Sequence, residues 1–102
     1  MELIGKKVII RASRAGVFFG TLKEKTATPA GVEVVLENSR RLWFWSGAAS
    51  LSQLALEGVK NPERCKFTVT VSEHNVMQVI EIIPCSEEAV KSIESVKVWK
   101  NS

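Results

Sequence analysis

Two short stretches gather most of the residues able to hold a charged, ring-bearing ligand. Asn38-Ser39-Arg40-Arg41-Leu42-Trp43-Phe44-Trp45 brings two arginines and two tryptophans together, in a chain that has five Arg and three Trp. Side chains alternate along a strand, so Arg41, Trp43 and Trp45 are expected on one face and Arg40, Leu42 and Phe44 on the other. A guanidinium takes phosphate through a two-pronged contact, and an indole stacks on a base. The same composition also describes a packed core with a charged rim, and both readings stay open at this point. The second stretch, Arg11-Ala12-Ser13-Arg14-Ala15-Gly16-Val17-Phe18-Phe19-Gly20, sets two arginines around a turn with glycine. Turns of that kind can offer backbone amides to an anion. The spacing matches neither a P-loop nor a dinucleotide fingerprint. The candidate ligand residues are therefore Arg11, Arg14, Arg40 and Arg41 for phosphate, Trp43, Trp45 or Phe18 for the base, and Ser13 or Asn38 for polar contacts.

What the chain lacks narrows the chemistry. It has no Asp, and its single His is His74. Cys65 and Cys85 stand far apart with no CxxC pair, so no metal site and no cofactor are expected. A Ser–His–Asp relay cannot be built, and His74 has no evident nucleophile beside it. Glu33 and Glu37 are too far apart along a strand to act as a carboxylate pair, and solvation accounts for them better. Binding is expected rather than catalysis. The net charge of +3 favours an anionic partner but is low for a dedicated nucleic-acid binder. No apolar run approaches the ~20 residues needed to cross a membrane. The start, Met1-Glu2-Leu3-Ile4-Gly5-Lys6-Lys7, does not read as a secretory leader. The chain reads as cytosolic with reduced thiols, the cysteines serving as small apolar residues.

The elements that must position these residues read as a small α+β domain spanning residues 1–102. Lys7–Ala12 is a first strand and Val17–Leu22 a second, with Gly20 marking a bulge or a close backbone approach. Lys23–Gly31 is polar and reads as a loop. Val32–Leu36 is a third strand, Glu37-Asn38-Ser39 a tight turn, and Arg40–Trp45 a fourth strand. Such a meander is expected to curl into a strongly bent, SH3-like antiparallel sheet. Ser50 and Gln53 form a capping box for a short helix that ends at Gly58. Lys66–Val71 alternates with Phe67, Val69 and Val71 inward. Ser72–Asn75 reads as a turn, Val76–Ile83 as a central strand, and Ser86 as the cap of a second helix. Val96–Trp99 closes the chain as a short strand or packed tail. Burying Leu42, Trp43 and Phe44 together needs cover on both sheet faces, which makes a homo-oligomer attractive.

The two arginine stretches, together with Ile80-Glu81-Ile82-Ile83-Pro84-Cys85-Ser86-Glu87-Glu88, resemble a family of small uncharacterised proteins encoded by bacteriophages. This chain has Ser13, Arg14 and Phe18 where that family's first motif has an aromatic, a serine and often a histidine. By analogy, accessory phage proteins of this size include homo-oligomeric sponges that sequester the signalling nucleotides of bacterial immunity without cleaving them. The resemblance thus implies a nucleotide-binding, anti-defence protein acting in the host bacterial cytosol. A nucleic-acid-binding module using the same residues, and an inhibitor that contacts a host protein directly, are the alternatives.

Overall fold

Lys7–Ala12 (β1) buries both of its faces, and this one strand separates two cores. Val8, Ile10 and Ala12 point one way and Ile9 the other, as alternation demands. The computed structural model describes residues 2–101. After β1 come β2 (Gly16–Thr28), β3 (Gly31–Phe44), α1 (Leu51–Glu57), a single 3-10 turn at Pro62–Arg64, β4 (Lys66–Phe67), β5 (Val71–Pro84) and α2 (Glu87–Glu94). β1 pairs with β2 and β5, and β3 pairs with the same two strands, all antiparallel. The sheet therefore closes into a ring, with β4 attached to the end of β3 outside it. Ile10, Phe18, Leu22, Val34, Leu36 and Val76 fill the interior of the ring. Ile9, Phe19 and Leu42 face outward beneath the helices, against Leu54, Ala55, Phe67, Ile93 and Val96. This is the small α+β arrangement, with a bent antiparallel sheet and two short helices, that the sequence implied.

Several boundaries differ from the sequence reading. The two strands expected over residues 32–36 and 40–45 are one continuous strand, β3, which ends at Phe44 and leaves Trp45 outside it. Glu37–Ser39 does not turn; Asn38 adopts a left-handed φ of 53° and forms a bulge opposite Gly20. A Cβ on Gly20 would lie 3.1 Å from the Glu37 carbonyl oxygen and 3.3 Å from Ser39 Cα. Glycine is needed there because two backbones approach closely, one of the alternatives its position suggested. The polar stretch after Leu22 continues as strand to Thr28, and only Pro29 and Ala30 turn. Its composition looked loop-like because this part of the β2–β3 hairpin is largely solvent-exposed and needs no apolar side. Ser72–Asn75 likewise lies within β5, paired with β3. The strand expected over residues 66–71 shrinks to Lys66–Phe67, with Phe67 buried but Val69 and Val71 exposed. Residues 96–99 form a tail held to β4 by one parallel bridge, Phe67 to Val98.

Both helices start where their caps predict. The Ser50 hydroxyl accepts from the Gln53 amide and the Ser86 hydroxyl from the Ala89 amide, each satisfying an orphan donor of the first turn. The Ser86 hydroxyl also donates to the Leu56 carbonyl, and the Ser92 hydroxyl links to the Val59 backbone in both directions, which locks α1 against α2. Gly58 ends α1 with φ 77°, and a Cβ there would come within 2.4 Å of the Ser92 hydroxyl. A Gly58→Ala protein should therefore lose roughly 2 kcal/mol, from left-handed strain plus displacement of Ser92. That corresponds to a fall in melting temperature on the order of 10 °C, measured by calorimetry.

Candidate binding face at Trp43 and Trp99

Two register shifts in β3 decide which of its residues are available. Val34 and Leu36 point into the ring, and the bulge at Asn38 moves the inward set to Ser39 and Arg41. Arg40 and Leu42 then face the helices. A second shift, between Leu42 and Phe44, turns Trp45 toward the helix-side core and leaves Phe44 half exposed. Trp43 and Trp45 therefore do not share a face, against the simple alternation expected of an unbroken strand.

The paired arginines have opposite roles. Arg40 is 6% exposed and donates to four backbone carbonyls. Its Nε reaches Thr68 at 3.0 Å, one Nη reaches Ile93 at 3.2 Å, and the other reaches Phe67 at 3.3 Å and Lys97 at 3.4 Å. Burial lowers its pKa from the ordinary arginine value. With four of its five N–H groups engaged, Arg40 is committed to the fold rather than to a ligand phosphate. Arg41 is exposed, its guanidinium 4.8 Å from the centre of the Phe18 ring. Phe18 itself is fully buried, with His74 against it edge-on at 5.0 Å, so it cannot stack on a base. Ser39 Oγ and His74 Nδ1, 3.2 Å apart, complete this cluster at the ring's end.

The other arginine stretch pairs with this one through Phe18 and Phe19, but its two arginines are directed elsewhere. Arg11 leaves β1 on the helix side and pairs with Glu81 at 3.1 Å, whereas Arg41 leaves β3 on the ring side. Ser13 and Arg14 lie exposed in the β1–β2 turn, where the Ser13 amide donates to the Gln78 carbonyl. A four-arginine clamp is not assembled. Asn38 is exposed, and its role visible here is the bulge.

What the fold does assemble is an aromatic face that includes a residue outside the two motifs. Trp43, 63% exposed, lies parallel to Trp99, 46% exposed, with ring centres 6.5 Å apart and planes inclined by 8°. The Lys66 ammonium sits 5.5 Å from the Trp99 ring centre. Arg41 precedes Trp43 by two residues, but Trp43 is the extra residue of the second shift, and the Arg41 guanidinium lies over Phe18 at the ring's end. Below Trp99 opens a cleft of about 510 Å³ lined by Pro62, Glu63, Cys65, Ser95, Lys97, Val98 and Trp99. Its size is that of a small-molecule site. Trp99 read from the sequence as a tail anchor; its signal was the cationic setting Lys97-Val98-Trp99-Lys100, which only contact with Trp43 and Lys66 makes meaningful.

The thiols offer no reactive group here. Cys65 and Cys85 are free, and burial raises both, Cys85 to about 12. Among the described residues no three His, Cys or Glu side chains gather as a metal site, and no helix is long and apolar enough to cross a membrane.

The fold and face define a small α+β protein with a ring-shaped sheet, a helical back and an aromatic, cationic lip. The chain belongs to the family described as Domain of unknown function (DUF6948), which it matches over residues 5–93. That stretch covers the ring and Trp43 and stops short of Trp99. No curated protein and no solved structure matches the chain.

His74 yields a pH prediction. Burial, and secondarily the charge of Arg41, hold its pKa below the ordinary value of 6.5. The unfolded chain thus takes up its proton first. The stability tied to neutral His74 is complete above pH 6.5 and is lost as pH falls through the lowered folded value. Urea midpoints measured at about pH 7.5 and about pH 5 should drop between the two, and drop less in His74→Gln.

Proposed function

We propose that this protein binds, without turning it over, a phosphate-bearing ligand with a flat ring, of the signalling-nucleotide class. The observation that carries this reading is the solvent-exposed, parallel Trp43–Trp99 pair with Lys66 against it. Two large indoles left in water cost hydrophobic free energy that a stacked base recovers, at about 1–3 kcal/mol per ring. A base entering between the two rings needs roughly 7 Å, twice the carbon–carbon contact distance. The ring centres stand 6.5 Å apart, and the tail that carries Trp99 would have to give way for a base to enter. Phosphates would meet Lys66, and Lys97 in the neighbouring cleft, with Arg41 two residues before Trp43 on β3. Arg11, Ser13 and Arg14 lie outside this site, and Arg40, Phe18 and Trp45 contribute to its support.

The resemblance to small phage proteins gives the reading its biological sense: a sponge that lowers the free concentration of a host immune messenger in the bacterial cytosol. A homo-oligomer belongs to the same proposal, with Phe44 and Val98, exposed beside the two indoles in sequence, as surface for a second copy. Light scattering in solution checks it.

Titration should follow tryptophan fluorescence with cyclic di-AMP, cyclic di-GMP, cyclic tri-AMP and cyclic ADP-ribose, beside a single-stranded oligonucleotide. One small ligand is expected to quench with submicromolar affinity and to be recovered intact after denaturation. Trp43→Ala and Trp99→Ala should each weaken it about 10- to 100-fold, in line with the loss of one stacked ring. Binding of the oligonucleotide alone, with a steep salt dependence, would favour the nucleic-acid module instead. No ligand binding below micromolar concentration would overturn the proposal.

A further inference from the structure

We propose that Arg40 is the positioning residue of the aromatic pair, setting the place of Trp99 through the backbone carbonyls it shares with the tail. The Phe67 carbonyl oxygen accepts both the Trp99 amide, at 2.9 Å, and an Arg40 Nη, at 3.3 Å. The Ile93 carbonyl oxygen accepts both the Val96 amide, at 3.2 Å, and the other Arg40 Nη, at 3.2 Å. A third bond runs from Arg40 to the carbonyl of Lys97, between those two tail residues. One planar fork thus holds both carbonyls on which the tail is hung, and the tail as well. Beyond these bonds the segment is held by Val96, buried in the helix-side core, and by the contacts of Trp99 with Trp43 and Lys66. Its pairing with β4 is a single bridge at Val98, and both Val98 and Trp99 are about half exposed.

The other side of the pair is set by the same residue. Trp43 follows Arg40 by three positions on β3, and the Arg40 Nε bond to Thr68 ties that strand to the exit of β4. The guanidinium also lies 5.5 Å from the centre of the Phe67 ring, so its plane is supported on one face. A lysine cannot reproduce this. Its three donors radiate from one atom, whereas the four acceptors come from separate segments around a flat fork. No carboxylate pairs with Arg40 among the described residues, so the carbonyls alone satisfy it.

That the geometry serves a ligand rests on the function proposed above; that Arg40 sets the geometry does not. The test therefore reads the indole pair directly, without ligand. Parallel indoles this close couple electronically, and the coupled band in circular dichroism is identified as the signal lost in both Trp43→Phe and Trp99→Phe. Arg40→Lys and Arg40→Gln should lose that band while keeping a cooperative melt. Amide exchange should rise at least tenfold over residues 95–101 and stay unchanged over β5. A retained band, or exchange that rises equally across β5, overturns the proposal, as does loss of the entire fold in both variants. A lost band with no nucleotide bound by the wild type would overturn the proposed function and leave the positioning role standing.

Discussion

Asn38 sits in β3 with a left-handed backbone, and Ser39 to Leu42 face the opposite way from an unbroken strand, until a second shift at Trp43. Side chains on a strand have a period of two, so one extra residue exchanges the two faces completely. Without the bulge, Arg40 and Leu42 would continue the inward set of Val34 and Leu36 and drive a guanidinium into the apolar ring. With it, Ser39 and Arg41 close the end of the ring, and Arg40 passes beneath the helices. Gly20 across the sheet is the other half of this device, since any side chain there would press on the Glu37 carbonyl. Asn tolerates the conformation at low cost because its short amide side chain does not crowd the backbone as branched residues do.

Placing Arg40 inside carries a penalty that the surrounding backbone offsets. A buried guanidinium has lost its water, which is why its pKa falls, and no ion pair among the described residues returns the charge. Carbonyl oxygens carry partial negative charge, and that of Ile93, near the C-terminus of α2, adds the favourable end of the helix dipole. The arrangement adds polar ties between segments that Phe67, Ile93 and Val96 join in the helix-side core: the two-residue β4, the end of α2 and the tail. Ser92 and Ser86 act similarly between the two helices, using hydroxyls to satisfy backbone groups at loop and helix ends. The helical layer is thus held to the ring by polar contacts at its margins and by Ile9, Phe19 and Leu42 at its centre.

The lip built from the end of β3, β4 and the tail differs in kind from the ring. Its inner side, Leu42 and Phe67, is buried, while Trp43, Lys66 and Trp99 lie in solvent. Few ladder bonds cross it, and small openings of such a segment cost far less than opening the sheet. The face thus combines rigid support beneath with one indole on a segment tied to β4 by a single bridge. The cleft under Trp99 continues the face toward Lys97.

From the sequence alone, the helix starts at Ser50 and Ser86, the end of α1 at Gly58, the first strand and the special standing of Gly20 were legible, because each is set by neighbours within a few residues. The arginine–tryptophan stretch was likewise legible as the place where charge and aromatic surface meet. Strand limits at Thr28, Asn38 and His74 were not, since polar residues there extend strands whose pairing comes from distant segments. Neither were the opposite fates of Arg40 and Arg41, nor the separation of Trp43 from Trp45. Those depend on two register shifts, and a shift is a property of how two strands close on each other. Only the tertiary structure could bring Trp99 to Trp43, because the carbonyl that takes its amide belongs to Phe67, far back along the chain and made its neighbour by the fold.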